Sequence, residues 1–407
     1  MIIYIDYLLF AIVAFAATYL LLFSTASLFS HSTPVESHKR QLRFIVLILA
    51  HRQDKTVLRT VNSVLGQSYA QRQFDVTVIS DHQQEMTNMR LAQLPVTLLT
   101  PNLKDYTKTK LLQYAIVHLP RFKQYDTILI LNGDCFVDTD FLEQLNNAYL
   151  SSGSKCVQTH HVTSNRDNNV TRLEAVAEEI NNSVFRRGHV ALGLSSSLCA
   201  AGMVYDFNWF VQNITKVHAA NEEKEMEAML IHDRIFIDYV DYIHIYAEKP
   251  HQERDFNHER NEWSRLQRRA FISNLRFLPM ALLHRQYDML DKLIQWLIVP
   301  RTTMMAIIML MDVVTPFIRF TMAIKWWVLS SVVLLAFALA VPNYLVDKHW
   351  NRTFLYAPLI VYKRFLRKPK QLYKKLINGN PVMAVHGLSG RLLSLLRRGK
   401  PAAETEE

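Results

Sequence analysis

Three cysteines, Cys135, Cys156 and Cys199, are all that the 407 residues contain. Their number is odd and their spacing is not that of metal ligands. That excludes a disulfide scaffold or a zinc site and points to a reducing compartment. Basic residues are missing from the start, and the first is Lys39. A secretory signal peptide would need a positive start and a small-residue cleavage site, so the apolar run from Ile2 to Phe29 reads as a retained span. The formal charge of +10 and pI near 9.4 are carried beside apolar segments. Anionic lipid is therefore the expected partner, and nucleic acid is not. Lys39, Arg40 and Arg43 follow the run, which predicts an outer amino terminus and a cytoplasmic chain beyond.

From Phe44 the pattern alternates. Phe44 to Ala50 predicts a strand, Lys55 to Gly66 a helix and Phe74 to Ile79 a strand ending at Ser80-Asp81. Leu94 to Leu99 predicts a short strand, Lys108 to Leu119 a helix and the apolar run that opens the stretch Tyr125 to Asp138 a buried strand. Strands separated by helices imply βαβ units and a mostly parallel sheet, an α/β nucleotide-binding class. The last of these strands stops at Asn132-Gly133-Asp134. Gly133 is expected there for backbone angles that a side chain forbids. Asp134 falls past the carboxyl end of a central strand, where open α/β sheets bind ligands. Either the segment is a plain turn, or Asp134 offers a hard oxygen to Mg²⁺ or Mn²⁺ shared with nucleotide phosphates.

Thr171 to Arg187 predicts a helix, and Gly188 to Tyr205 a loop of small residues. A further helix opens at Asn221-Glu222-Glu223, whose acidic first turn also suits the helix dipole. Met289 to Val299 is amphipathic and predicts an interfacial helix. Thr302 to Ile324 and Trp326 to Val346 predict two more spans, with Lys325 between them and Trp326 and Trp327 as interface anchors. A basic tail follows. The expected organisation is a span at 1–30, a catalytic-type domain at 43–280, an interfacial helix and hairpin at 285–346, and a tail at 347–407.

In order, these pieces resemble the membrane-bound family 2 glycosyltransferases, the group of cellulose, chitin, hyaluronan and poly-N-acetylglucosamine synthases. Leu49-Ala50-His51-Arg52 stands for Pro-Ala-His-Asn, and Ser80-Asp81 for the nucleotide-contacting aspartate. Thr107-Lys108-Thr109 stands for a Gly-Lys-Gly segment, and Asn132-Gly133-Asp134 for the Asp-x-Asp metal motif. Glu222-Glu223 stands for Glu-Asp, and Tyr246-Ala247-Glu248-Lys249-Pro250 for Tyr-Asp-Glu-Lys-Pro. Glu259-Arg260-Asn261-Glu262-Trp263 stands for Gln-x-x-Arg-Trp. The resemblance implies a GT-A fold and a nucleotide-diphosphate sugar bound by Ala50, His51, Asp81, Lys108, Asp134, Arg260 and Trp263. It further implies Asp134 as the ligand of Mg²⁺ or Mn²⁺, Glu223 as general base, and a glycan or lipid-linked acceptor at the bilayer. Three positions depart from the pattern. Asn132 leaves Asp134 as the only charged metal ligand, Glu223 is a methylene longer than aspartate, and Glu262 replaces a cation. Two expectations follow: an inverting transferase using a UDP-sugar, or an impaired subunit working with other membrane subunits in polysaccharide assembly.

Overall fold

The computed structural model describes residues 2–30, 35, 37–102, 107–120, 122–218, 222–249 and 253–348, with a few positions between 350 and 358. Side chains of 251–260 and 262 lie outside that description, as does nearly all of the tail.

Strand β1 (Phe44–His51, FIVLILAH) is buried along all but its last residue, as a strand covered on both faces must be. It pairs in parallel with β2 (Phe74–Asp81) and β4 (Thr127–Asn132), and β2 pairs in parallel with β3 (Thr97–Leu99). The register sets His51 beside Asp81 and Leu49 beside Asn132. Three central strands thus release their chains along one edge of the sheet. Beyond β4 the sheet is mixed. It runs on through β5 (Cys135–Val137), β6 (Cys156–Thr163), β7 (Met203–Asp206) and β8 (Ile237–Ala247), in the order β3-β2-β1-β4-β7-β6-β8-β5. β7 is antiparallel to both β4 and β6, and β5 is antiparallel to β8. β7 falls within the stretch the sequence suggested as a loop. Four residues are too few to show a period.

The helices in order are α1 (Ile2–Phe29), α2 (Val57–Leu65), α3 (Glu85–Ala92), α4 (Lys108–His118), α5 (Phe141–Ser152) and α6 (Asn169–Asn181). A π-helical turn, Asn182–Arg187, carries α6 into α7 (Gly188–Ala191), again inside the expected loop. Then come α8 (Phe207–Ile214), α9 (Glu223–His232), α10 (Glu253–Asn274), α11 (Leu278–Leu283), α12 (Tyr287–Leu297), α13 (Arg301–Ile318) and α14 (Phe320–Ala340). Phe44, Val46 and Ile48 of β1 pack with Val57, Val61 and Val64 of α2 and with α5. The alternate residues Ile45, Leu47 and Leu49 pack with α4, α8 and α9 on the other face. The period of two along β1 thus builds both cores.

Three helices, residues 3–29, 301–318 and 320–340, are long and apolar enough to cross a membrane. The break between the last two falls at Arg319, in extended conformation, and not at Lys325 as the sequence suggested. Pro316 lies inside α13 and has no N–H for the carbonyl of Asp312. Trp327 Nε1 of α14 donates to that carbonyl instead, at 3.4 Å, as an apolar setting requires. Lys325 therefore sits within α14. It pairs with Asp6 of α1, and Trp326 Nε1 donates to the same carboxylate at 2.9 Å. Trp326 is fully buried, so it is no interface anchor.

Helix α12, the amphipathic segment expected to be interfacial, turns one face into the protein. Its face of Met289, Asp291, Lys292, Leu293, Gln295 and Trp296 is buried in protein. Lys292 Nζ donates to the Ser196 carbonyl at 2.9 Å, and Asp288 accepts from Ser195 N at 2.7 Å. Amphipathicity alone does not say which apolar surface a helix meets. Tyr19 of α1 joins this contact, donating to Asp291 at 2.9 Å and lying 2.8 Å from His189 Nε2. The joint is tight, since a Cβ on Gly188 would lie 2.2 Å from the Phe23 carbonyl oxygen. Gly188→Ala is therefore expected to lower stability by about 1–3 kcal/mol through overpacking, read as a fall in melting temperature in detergent.

Candidate active site

The edge where β1, β2 and β4 end carries four of the eight predicted residues, Ala50, His51, Asp81 and Asp134. Asp81 is 1% exposed and lies 2.5 Å from His51 Nδ1 and 3.0 Å from His82 Nδ1. Ala50 is buried beneath the Asn-Gly-Asp turn. A Cβ on Gly133 would meet Gln53 Oε1 at 2.7 Å and Ala50 Cβ at 3.0 Å. Gly133 does not have a positive φ. This corrects the expectation of special backbone angles: the glycine is needed because β1 approaches closely, with its N–H donating to the Leu49 carbonyl at 2.8 Å.

Asp134 follows, partly open to solvent but crowded by protein. Burial pushes its carboxyl above the usual aspartate range, with Lys249 opposing that shift. Lys249 acts as well on the Cys199 thiol, which burial raises and which feels Arg186, Glu178 and Glu223. Gly202 N–H donates to the Ile130 carbonyl of β4 at 2.8 Å, and the Ala200 carbonyl accepts from Lys108, which also holds Glu223, so residues 200–202 join α9 to the strand that ends before Asp134. Cys199 is fixed by its backbone N–H, which donates to Gln158 Oε1 at 2.8 Å.

The base candidate is held by Lys108 at the start of α4. Its ammonium lies 2.8 Å from the Ala200 carbonyl, 2.8 Å from Glu222 Oε1 and 3.2 Å from Glu223 Oε1. The contacts to Ala200 and Glu223 are hydrogen bonds, and that to Glu222 is an ion pair. Lys108 thus positions two carboxylates. Burial disfavours its charge, but Glu222 and Glu223 outweigh that and raise its pKa. Burial also raises the Glu222 carboxyl, against the pull of Lys108. The Glu222 side chain is 0% exposed and that of Glu223 is 15% exposed, so only Glu223 has an open side toward a substrate.

Sequence reasoning missed Lys249 as a site residue, although it stands in the quoted Tyr-Ala-Glu-Lys-Pro segment. It also missed the buried group behind Cys199. There Arg186 Nη1 donates to Glu178 Oε1 at 2.9 Å, and His161 Nδ1 lies 3.8 Å from the same oxygen. His161, Glu178 and Cys199 bring their ligand atoms together, but the Arg186 guanidinium already neutralises Glu178 and opposes a cation there. The predicted Arg260 has its side chain outside the described residues. Trp263, Arg265, Arg268 and Arg269 are exposed on α10, with no described contact to Asp134 or Glu223.

Two outcomes are expected. Lys108→Met leaves Glu222 buried without its cation and should cost about 3–5 kcal/mol, with Glu222→Gln in the same chain restoring most of the loss in thermal unfolding. Burial holds His161 down to about 3 against an ordinary 6.5. Below pH 6.5 the unfolded chain binds a proton that folded His161 refuses, so stability falls as pH drops toward 3. His161→Gln should flatten that part of the melting-temperature profile.

Residues 41–208 match the family model described as glycosyltransferase like family 2. No curated protein matches the chain by sequence. Among solved structures, the mannosyltransferase PcManGT from Pyrobaculum calidifontis, in complex with GDP-Man and Mn²⁺, is 12% identical with a TM-score of 0.50. That match covers 80% of this chain and 99% of that one. TarS 1-349 from S. aureus is 12% identical with a TM-score of 0.44, covering 83% of this chain and 92% of that one. The sheet order, the three strand ends and the family match lead to one conclusion: residues 41–208 carry a glycosyltransferase family 2-like domain, the fold is of the GT-A kind, and together they support a transferase.

Proposed function

We propose that the chain is a membrane-anchored, inverting glycosyltransferase that moves a sugar from a nucleoside-diphosphate sugar, a UDP-sugar first among them, to a lipid-linked or polysaccharide acceptor. The observation that carries this reading is that Lys108 holds Glu223 against the Ala200 carbonyl while Gly202 is hydrogen-bonded to Ile130 of β4, the strand that ends just before Asp134. Asp81 marks the nucleoside end of the cleft, Asp134 the diphosphate and Glu223 the acceptor. Glu223 takes the proton of the acceptor hydroxyl as that oxygen bonds to the anomeric carbon and the nucleoside diphosphate departs with the electrons of the broken bond.

Asp134 fits Mg²⁺ or Mn²⁺. Mg²⁺ is often held by one or two carboxylates plus substrate phosphates, and a buried carboxyl with a raised pKa gains from a cation beside it. Among the described residues, no group of three ligand side chains includes Asp134, so the diphosphate has to share the ion. Asp134 would hold the ion, which when bound would neutralise charge on the leaving diphosphate. Lys249 stands near the same carboxylate and adds a cation to that end. The mannosyltransferase of similar fold, solved with GDP-Man and Mn²⁺, supports this placement.

The basic residues after α1 support a cytoplasmic catalytic domain on a cell membrane, with 1–30 and 285–346 as membrane-associated parts flanking 43–280 and a basic tail from 347. The second reading, an impaired subunit that serves a partner in polysaccharide assembly, draws on Asn132 and Glu262, which remove a metal ligand and a cation from the family pattern. Purified full-length protein, given a panel of nucleotide sugars with Mn²⁺, decides between them. Release of nucleoside diphosphate from one donor, reduced at least about 100-fold in Glu223→Gln, the scale of a lost general base, supports the enzyme. Asp134→Asn should abolish the metal dependence. Turnover of no donor, with diphosphate binding retained, supports the subunit.

A further inference from the structure

The foot of α1 carries a feature that sugar transfer does not use. A recess of about 270 Å³ lies between the end of that helix, the end of α5, the π-helical turn and the start of β8. Ser30, Ser151 and Ser152 line it with hydroxyls, Arg187 and Asp238 with charges of opposite sign, and Val190 with an apolar wall.

Both charged groups are half-buried and incompletely used. The Arg187 side chain is 28% exposed, and its Nη1 comes no closer than 3.9 Å to Asp241, beyond hydrogen-bond distance. Its Nε is buried and lacks a hydrogen-bond partner among the described residues. Asp238 accepts from Tyr239 N–H at 2.8 Å with one oxygen. Burial raises its carboxyl, and that backbone hydrogen bond, with no cation, is what opposes the rise. A guanidinium short of acceptors and a carboxylate short of a cation call for partners that the folded chain does not supply.

The position of the recess narrows the choice of partner. Ser30 directly follows α1, one of the three helices apolar enough to cross a membrane. Leu28 and Phe29 are exposed just before it, and Val190 leads to Leu192, which is exposed as well. Exposed apolar side chains grouped beside a span suit acyl chains. On the membrane-anchored reading, the polar recess then lies at the depth of lipid head groups.

Resting on that reading, we propose that the recess holds the phosphoethanolamine head group of a bilayer lipid, with its phosphate on Arg187 and its ammonium on Asp238. A guanidinium forks onto phosphate oxygens, and an ammonium donates N–H to a carboxylate. In phosphoethanolamine a two-carbon link joins the two charges, so one molecule answers both groups. A choline head has no N–H for Asp238. A glycerol head has no cation at all. The bound lipid would join the foot of α1 to β8.

The test is native mass spectrometry of the full-length protein in detergent, titrated separately with phosphatidylethanolamine, phosphatidylcholine and phosphatidylglycerol of the same acyl chains. Phosphatidylethanolamine should bind about ten-fold or more tightly than the other two, the scale of one charge-assisted hydrogen bond. Asp238→Asn keeps an oxygen for Tyr239 N–H but removes the charge, and should bring the three affinities within about three-fold. Arg187→Gln should weaken phosphatidylethanolamine about ten-fold. Val190→Phe, which narrows the recess without altering a charge, should do the same and serves if the glutamine variant does not fold. Glycerophosphoethanolamine, which lacks acyl chains, should bind at least about ten-fold more weakly than the lipid. Equal affinity for the three lipids, an unchanged preference in Asp238→Asn, or a soluble head group that binds as tightly as the lipid overturns the inference and leaves the membrane-anchored reading intact. Release of the protein from membranes by alkaline carbonate removes both.

Discussion

The ammonium of Lys108 is the contact on which the candidate catalytic half depends. It ties the start of α4 to the start of α9 and to the Ala200 carbonyl, and so fixes two adjacent carboxylates whose charges would otherwise repel. A buried cation between two acids is costly to desolvate and valuable only with close geometry. That cost is met here by three short contacts. The result separates the pair: Glu222 is sealed inside and structural, while Glu223 keeps an open side. The same contact brings the small-residue segment around Cys199 up to Glu223, and α12 holds that segment from behind through Asp288 and Lys292.

Much of this was legible in the sequence. The runs Phe44 to Ala50, Phe74 to Ile79 and Thr127 to Leu131 are apolar and β-branched, and each became a buried strand ending where a polar cluster begins. Two carboxylates, Asp81 and Asp134, were expected past strand ends, and the parallel register puts both on one edge. The family resemblance added Glu223, which no periodicity would have singled out, because an acidic first turn is ordinary in helices.

Other features depend on contacts that one segment does not encode. Gly133 looked like a residue chosen for its backbone freedom, yet the space beneath it is what matters, and that space belongs to Ala50 and Gln53. The amphipathic face of α12 reads equally as membrane-facing or protein-facing until Ser195 and Ser196 are set against it. Lys325 looked like a turn between spans because its partner, Asp6, is more than 300 residues away at the other end of the chain. In each case the local pattern was right, and the neighbour that gave it meaning was remote.

In the proposed reading, nucleoside, diphosphate and acceptor lie along one edge of the sheet, from Asp81 past Asp134 to Glu223. The most direct measurement is an experimental structure of the full-length protein with UDP and Mn²⁺. The expected result has the base beside Asp81, the metal on Asp134, and the β-phosphate between Asp134 and the open side of Glu223. Density for the nucleotide away from Asp134, or with Glu223 turned out of the cleft, would contradict it.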